Sequence, residues 1–279
     1  MISTSFDYKR ATSVEDVLAD LNEDSKILAG GHSLIPAMKL RLNQTGLLID
    51  ITKIESLKQI TFSQGTLHIG AAATHQQISL NQDVLTHAPL MAEVAGLIGD
   101  VQVRNAGTIG GSIAHADPAA DWPAALLAAD ATILVKSQSG ERSILIRDFF
   151  TGIYSTDLQE NEIIIEVQVP SMKSKRANYQ KFAQPASRFA LVGCAASGTV
   201  NGSIVSDLRV AFTGLSDVPF LDQSVQKELE GKTLNDASIA DAVRSMDKDV
   251  YVMEDHYADE TYRKHLAGIM LSRALKSMV

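Results

Sequence analysis

A mixed α+β fold is predicted, with an N-terminal body of about 170 residues and a smaller C-terminal domain. Three observations predict it. Runs with helical spacing alternate with short strand-like runs, without an internal repeat or low-complexity tract. A polar, cationic stretch at residues 171–178 (SMKSKRAN) follows Pro170 and reads as a domain boundary. Beyond it, Asn201-Gly202 lies between two β-like runs, a hairpin signal in which both turn residues are expected at positive φ.

Ser13 is placed to cap a first helix, because Asp16 follows three residues on and Val14, Val17, Leu18 and Leu21 recur at helical spacing. Residues 26–29 form a strand-like run cut off by Gly30-Gly31, and residues 47–51 and 67–71 read as further strands. Helices are predicted over residues 74–80 and 89–98. A second glycine-rich turn, residues 107–111, leads into an alanine-rich helix around residues 119–129, with Asp117 before Pro118 as its N-cap. Strands follow at residues 131–136 and 163–169, the latter closed by Pro170. In the C-terminal part, residues 190–200 and 203–212 form the hairpin. Helices over residues 235–246 and 259–278 complete the chain, the last with an apolar stripe of Tyr262, Leu266, Ile269, Met270, Ala274 and Leu275.

Composition narrows the function. The 279 residues carry 25 Lys and Arg against 33 Asp and Glu, a net charge of −8, which argues against nucleic-acid binding. One cysteine, Cys194, excludes a disulfide framework and any iron–sulfur cluster ligated by this chain's own thiols. No apolar run is long enough for a signal-peptide core or a membrane span, so a cytoplasmic protein is expected. The histidines show neither H-x-x-x-H nor H-E-x-x-H spacing, and His32 and His115 read as polar loop residues rather than metal ligands. There is no G-x-S-x-G elbow for a serine nucleophile.

Two glycine segments carry the chemistry. The first, Ala29-Gly30-Gly31-His32-Ser33-Leu34, directly follows a strand. The second is Thr108-Ile109-Gly110-Gly111-Ser112. Paired glycines admit backbone conformations closed to other residues and let main-chain N–H groups approach a ligand. Successive N–H groups in such turns form concavities suited to a pyrophosphate, and the hydroxyls of Ser33, Thr108 and Ser112 add donors. One such pair by itself reads sooner as a tight turn; two, each flanked by hydroxyl residues, point to a diphosphate. Neither the G-x-x-x-x-G-K-[ST] loop nor G-x-G-x-x-G opening a helix is present, so a different diphosphate-binding architecture is required.

The stretches AGGHSLIPAMKLRL (residues 29–42) and TIGGSIAHADPAADWPAALLAADA (residues 108–131) closely resemble the FAD-binding medium subunit of molybdenum hydroxylases. The aerobic carbon monoxide dehydrogenase medium subunit and the bacterial xanthine dehydrogenase FAD subunit are the members most resembled. The similarity runs from SFDYKRATSVEDVLADL through YQKFAQPASRFALVG to ETYRKHLAGIMLSRAL, essentially the whole chain.

This resemblance implies a vanillyl-alcohol-oxidase (PCMH)-type FAD-binding domain over residues 1–175. Two subdomains, about residues 1–55 and 56–175, would hold FAD between them. A C-terminal domain over residues 176–279, with a small antiparallel sheet and helices, would follow. By motif position, Ala29, Gly30, Gly31, His32, Ser33 and Leu34 are expected to wrap the pyrophosphate from one subdomain, and Thr108, Gly110, Gly111 and Ser112 from the other. Asp121 matches a carboxylate that contacts FAD, although on its own it could equally serve a helix dipole. Lys181 matches a lysine near the flavin ring, Ile164 a position whose backbone meets the ring, and Phe189 an aromatic beside it. Many relatives have Asn where Ser112 stands; the shorter serine keeps a hydrogen-bonding group but loses reach, so binding is expected to survive with that contact altered. The Cys-bearing insertion of benzoyl-CoA-type relatives is missing.

The function so implied is electron transfer. A small subunit with [2Fe–2S] clusters would deliver electrons from a large molybdopterin subunit. This chain's FAD would pass them to a quinone, NAD or oxygen, within a dimer of heterotrimers. A self-sufficient FAD-dependent reductase of the same flavin fold is the rival, and a flavinless scaffold a third reading.

Overall fold

The computed structural model describes residues 2–279 and builds three main sheets in chain order, with a further two-stranded ribbon inside the second unit. The first is parallel, with order β1-β3-β2. It comprises β1 (Asp7–Arg10), α1 (Val14–Asp20), β2 (Ser25–Leu28), α2 (Leu34–Lys39) and β3 (Leu47–Asp50). Ser13 caps α1 by accepting the Asp16 N–H at 3.1 Å, and Val14, Val17 and Leu18 are buried against Ile49 and Ile51.

A 3₁₀ turn, Glu55–Lys58, leads into a second unit. It runs β4 (Ile60–Ser63), β5 (Thr66–Gly70), α3 (His75–Leu80), α4 (Gln82–His87), α5 (Pro89–Leu97), α6 (Val101–Ala106), α7 (Ile109–His115), α8 (Trp122–Ala128), β6 (Thr132–Ser137), β7 (Gly140–Leu145), α9 (Ile146–Phe149), β8 (Phe150–Gly152), β9 (Ser155–Thr156) and β10 (Ile163–Pro170). Five of the strands pair antiparallel in the order β4-β5-β10-β6-β7. The last strand in sequence thus enters the middle of the sheet.

The third unit holds β11 (Arg176–Ala183), β12 (Ala190–Asn201), β13 (Ile204–Thr213) and β14 (Phe220–Leu221), an antiparallel sheet in chain order. Helices α10 (Gln223–Leu229), α11 (Asp236–Ser245) and α12 (Glu260–Lys276) pack against it through Val225, Leu229, Ile239, Leu266, Met270 and Leu275. Asn235 and Asp259 cap the last two helices. No helix among the described residues is long and apolar enough to cross a membrane.

Several local expectations are corrected. The alanine-rich helix starts at Trp122, not near residue 119, because Pro123 is tolerated only in a helix's first turn. Asp117 therefore does not cap it. Its carboxylate accepts the Ala119 N–H at 2.9 Å and its carbonyl the Ala120 N–H at 3.0 Å, closing a turn upstream. In the β12–β13 hairpin Asn201 pairs with Ile204, so the two turn residues are Gly202 and Ser203, and only Gly202 has positive φ. Glycine at the first central position is the mark of a type II′ turn. Tyr262 lies outside the buried stripe of α12, half-exposed and edge-on to Phe182. Helices α2, α4, α6 and α10 carry no strong periodic signal and were not anticipated.

Helix α8 is the keystone of the packing. All seven of its residues are buried, four of them alanine or proline, so the four-stranded sheet can approach its backbone closely while α5, α7 and α9 also pack against it. Ser197 donates to the Ala128 carbonyl at 2.6 Å, and Thr213 to the Ala120 carbonyl at 2.6 Å. The first bond satisfies a carbonyl in the last turn of the helix, and the second anchors the residue before its N-cap to the C-terminal sheet.

Candidate functional site: a junction of two glycine segments

The two glycine segments meet, one from each of the first two sheets. β2 delivers the first as it leaves the parallel sheet, and the α6–α7 connection delivers the second. A β-carbon at position 30 would stand 2.2 Å from the Ala106 carbonyl oxygen and 2.7 Å from the Gly107 Cα. A β-carbon at position 111 would stand 3.7 Å from that of Ala29. Gly31 turns the chain with φ +70°, which an L side chain rarely adopts.

Their backbone donors differ sharply. In the first segment the N–H groups of Gly30, Gly31, His32, Ser33 and Leu34 donate to no acceptor among the described residues, while the carbonyls of Gly31 and Ser33 already start α2. Five consecutive donors therefore stand free beside half-buried residues. In the second segment four of the five N–H groups are committed: Ile109 to Ala73 O at 3.1 Å, Gly110 to Ala71 O at 2.8 Å, Gly111 to Thr108 Oγ1 at 3.2 Å and Ser112 to Thr108 O at 3.0 Å; that of Thr108 alone donates to no acceptor among the described residues. This corrects the expectation of two equivalent N–H cradles. The second segment is already the first turn of α7, sewn to the β5–α3 connection, and offers small residues and hydroxyls instead of a run of amides. The hydroxyls of Ser33 and Ser112 hydrogen-bond to nothing among the described residues.

Thr108 earns its place twice, as N-cap of α7 and as the hydroxyl over Gly111. Replacing it with Ala is expected to cost about 1 kcal/mol of stability, the usual worth of a lost Thr cap. Equilibrium urea unfolding of the two proteins measures the difference.

Ile164 adjoins this junction. Between Ile164 and Glu166 the β10–β6 register shifts by one residue, a bulge that frees the Ile165 carbonyl to accept the Ala71 N–H at 3.0 Å. Ala71 in turn holds Gly110. Asp121, Lys181 and Phe189 form a separate group. Asp121 and Lys181 make an ion pair of 2.9 Å whose side chains are both about one-twentieth exposed. The Tyr179 hydroxyl donates to the other Asp121 oxygen at 2.5 Å, in space left by Gly193, where a β-carbon would lie 2.3 Å from that hydroxyl. Burial pushes the Asp121 carboxyl above its ordinary range, against the opposing pull of Lys181 and Tyr179. Burial, and then the Asp121 charge, hold the Tyr179 phenol well above its usual value, so it remains a donor.

The Lys181 ammonium has three protons and three protein acceptors: the Leu97 carbonyl at 2.9 Å, Asp121 at 2.9 Å and the Arg188 carbonyl at 2.8 Å. It was expected to bring a charge to a flavin ring. As placed, its charge is paired and its donors are spent on holding the loop that carries Phe189. Phe189 itself is exposed, its backbone closing that loop by accepting the Gln184 N–H at 2.9 Å. The two groups are joined by residues that sequence reasoning passed over. Trp122, next to Asp121, donates to His75 Nδ1 at 3.2 Å, and the His75 ring rests on Gly107. The only trace of this in the sequence is Thr74 with Gln77 three residues on, the capping box that starts α3.

The arrangement fits a dinucleotide diphosphate: uncharged donors converge where two subdomain backbones touch, and a β-carbon on Gly30 would destroy the contact. A family described as FAD binding domain in molybdopterin dehydrogenase matches residues 4–172, and one described as CO dehydrogenase flavoprotein C-terminal domain matches residues 177–278. The glyceraldehyde dehydrogenase medium chain of Sulfolobus acidocaldarius is 35% identical over 100% of both chains. The carbon monoxide dehydrogenase medium chain of Hydrogenophaga pseudoflava is 36% identical over 99% of this chain and 98% of its own. The solved carbon monoxide dehydrogenase of Hydrogenophaga pseudoflava superposes with a TM-score of 0.95, covering 100% of this chain and 98% of that one. The quinoline 2-oxidoreductase of Pseudomonas putida 86 also superposes at 0.95, with 28% identity over 100% of this chain and 98% of that one. By sequence, by fold and by the junction of its glycine segments, the chain belongs to the FAD-binding subunits of the molybdenum hydroxylases.

Proposed function

We propose that this chain is the electron-transfer subunit of its complex, receiving electrons from the [2Fe–2S] clusters of a small partner subunit and passing them to a quinone, NAD or oxygen. The reading also places a large molybdopterin subunit upstream, in a cytoplasmic dimer of heterotrimers. The observation that carries it is the run of five free N–H groups, residues 30–34, at the contact of two subdomains. FAD, when bound, supplies the redox chemistry.

The chain's own residues do the rest. Gly30, Gly31, His32, Ser33 and Leu34 would offer amides to the diphosphate beside Ala29. Ser33, Thr108 and Ser112 would add hydroxyls, and Gly110 and Gly111 the room. Ile164 would present its backbone at the bulge. Asp121 and Lys181 would act through position, fixing the Phe189 loop over the cleft. A division at residues 175 and 176, with subdomains meeting near residue 55, completes the proposal. Cys194 is the only cysteine and is buried, its thiol pushed up by burial, so iron–sulfur clusters must come from a partner.

The experiment is rapid mixing of the FAD-loaded chain with its reduced [2Fe–2S] partner subunit. Bleaching of the flavin band is expected, with no bleaching by NADPH plus an organic substrate when the partner is left out. Full reduction by NADPH and turnover of a substrate by this chain alone would overturn the proposal.

A further inference from the structure

His75 has no role in the reading above, yet it backs the junction. Its ring is 4% exposed at the start of α3. Nδ1 accepts from Trp122 Nε1, which assigns the ring proton to Nε2, and Nε2 has no acceptor among the described residues. Nε2 and Cδ2 would lie 2.9 and 3.0 Å from a β-carbon on Gly107. The His75 N–H also donates to the Gly107 carbonyl at 3.0 Å. Gly107 is the residue whose Cα lies against Gly30. The imidazole thus presses on the same peptide that the first segment rests upon.

We propose that His75 is a positioning residue for FAD: its neutral ring, held by Trp122, sets how the second glycine segment seats against the first and so where the five free N–H groups aim. The proposal rests on those amides being diphosphate donors. Protonation would place hydrogens on both ring nitrogens and turn Nδ1 against the Trp122 donor. The titratable and charged groups that bear on the ring are His32, from the first segment, and Arg104, from α6, and both oppose a second proton. Trp122, from α8, is uncharged. Burial, ahead of these charges, lowers the His75 pKa from 6.5 to about 4. The neutral ring is therefore complete at pH 7, and the seating it supports is lost as the pH falls toward about 4.

The test is titration of the FAD-free chain with FAD, followed by flavin fluorescence from pH 7.5 down to pH 4, with circular dichroism confirming that each protein is folded. His75→Phe keeps the bulk and removes both nitrogens. It is expected to weaken binding about tenfold at pH 7.5, the worth of one hydrogen-bond contact, and to lose the acid limb. His75→Gln, whose amide oxygen keeps an acceptor for Trp122 Nε1, is expected to bind within about threefold of the parent, also without the acid limb. Trp122→Phe removes the donor that favours the neutral ring and is expected to move the acid limb up by about one pH unit. Unchanged affinity and an unchanged acid limb in His75→Phe would overturn the proposal. Should that variant not fold, an unchanged acid limb in both His75→Gln and Trp122→Phe overturns it. A parent chain that takes up no FAD at any pH would instead defeat the diphosphate reading itself.

Discussion

Gly30→Ala is expected to lower FAD affinity by at least two orders of magnitude while leaving the C-terminal sheet intact. The added β-carbon would sit 2.2 Å from the Ala106 carbonyl oxygen, and both clashing groups are backbone, so no rotamer change relieves the contact. The second segment cannot retreat. Gly107 is held to Val103 O at 2.7 Å and to the His75 N–H at 3.0 Å, and Ile109 and Gly110 are bonded to Ala73 and Ala71. The first segment must therefore move, taking its five free amides off their aim. Hydrogen bonds to a charged group are worth about 1.5–3 kcal/mol each, so losing two weakens binding by roughly 10²–10⁴. Gly96→Ala is the matched control. It lies in α5 with nothing within 4 Å of a β-carbon, and is expected to stabilise the helix by about 0.5–1 kcal/mol with FAD binding unchanged. Purification of Gly30→Ala with one FAD per chain would show that the junction is not the diphosphate site.

Lys181→Met is expected to destabilise the fold by about 3–5 kcal/mol, because it leaves the Asp121 charge buried without its partner. The Leu97 and Arg188 carbonyls lose their donor as well. Asp121→Asn combined with Lys181→Met should recover part of the loss, since it removes the orphaned charge while the Tyr179 hydroxyl keeps an acceptor. The pH dependence has a definite sign. A buried carboxyl whose pKa is raised in the folded state favours folding when protonated, so that contribution is present at low pH and lost as the pH rises through its folded value. Without Lys181 the pKa moves up further, and the deficit of Lys181→Met should be larger at pH 8 than at pH 5. Urea unfolding at both values measures it. Equal deficits would mean that packing, rather than charge, sets the cost.

Much of the fold was legible because the signals were local. The Ser13 cap, the strand broken at Gly30-Gly31, the hairpin near Gly202 and the stripe through Leu266, Met270 and Leu275 all depend on spacing within a few residues. The same locality explains the errors. Asp117 and Asp121 both fit the grammar of a helix start, and which one lay at the first turn depended on where Pro123 could be accommodated. Helices α4 and α6 are one and a half turns each, too short for periodicity to distinguish them from loops.

Residue type and spacing were enough to reveal two glycine segments, the hydroxyls that flank both, and the lack of a competing thiol pair or nucleotide fingerprint. The abutment of Gly30 on Gly107, the run of free amides in the first segment, and the commitment of the three Lys181 protons to Leu97, Asp121 and Arg188 come instead from long-range contacts. The physical reason is that a backbone donor's availability depends on which acceptors the rest of the chain brings to it. Residue type and spacing specify what a segment can offer; contacts between residues some 75 positions apart settle what is left to give.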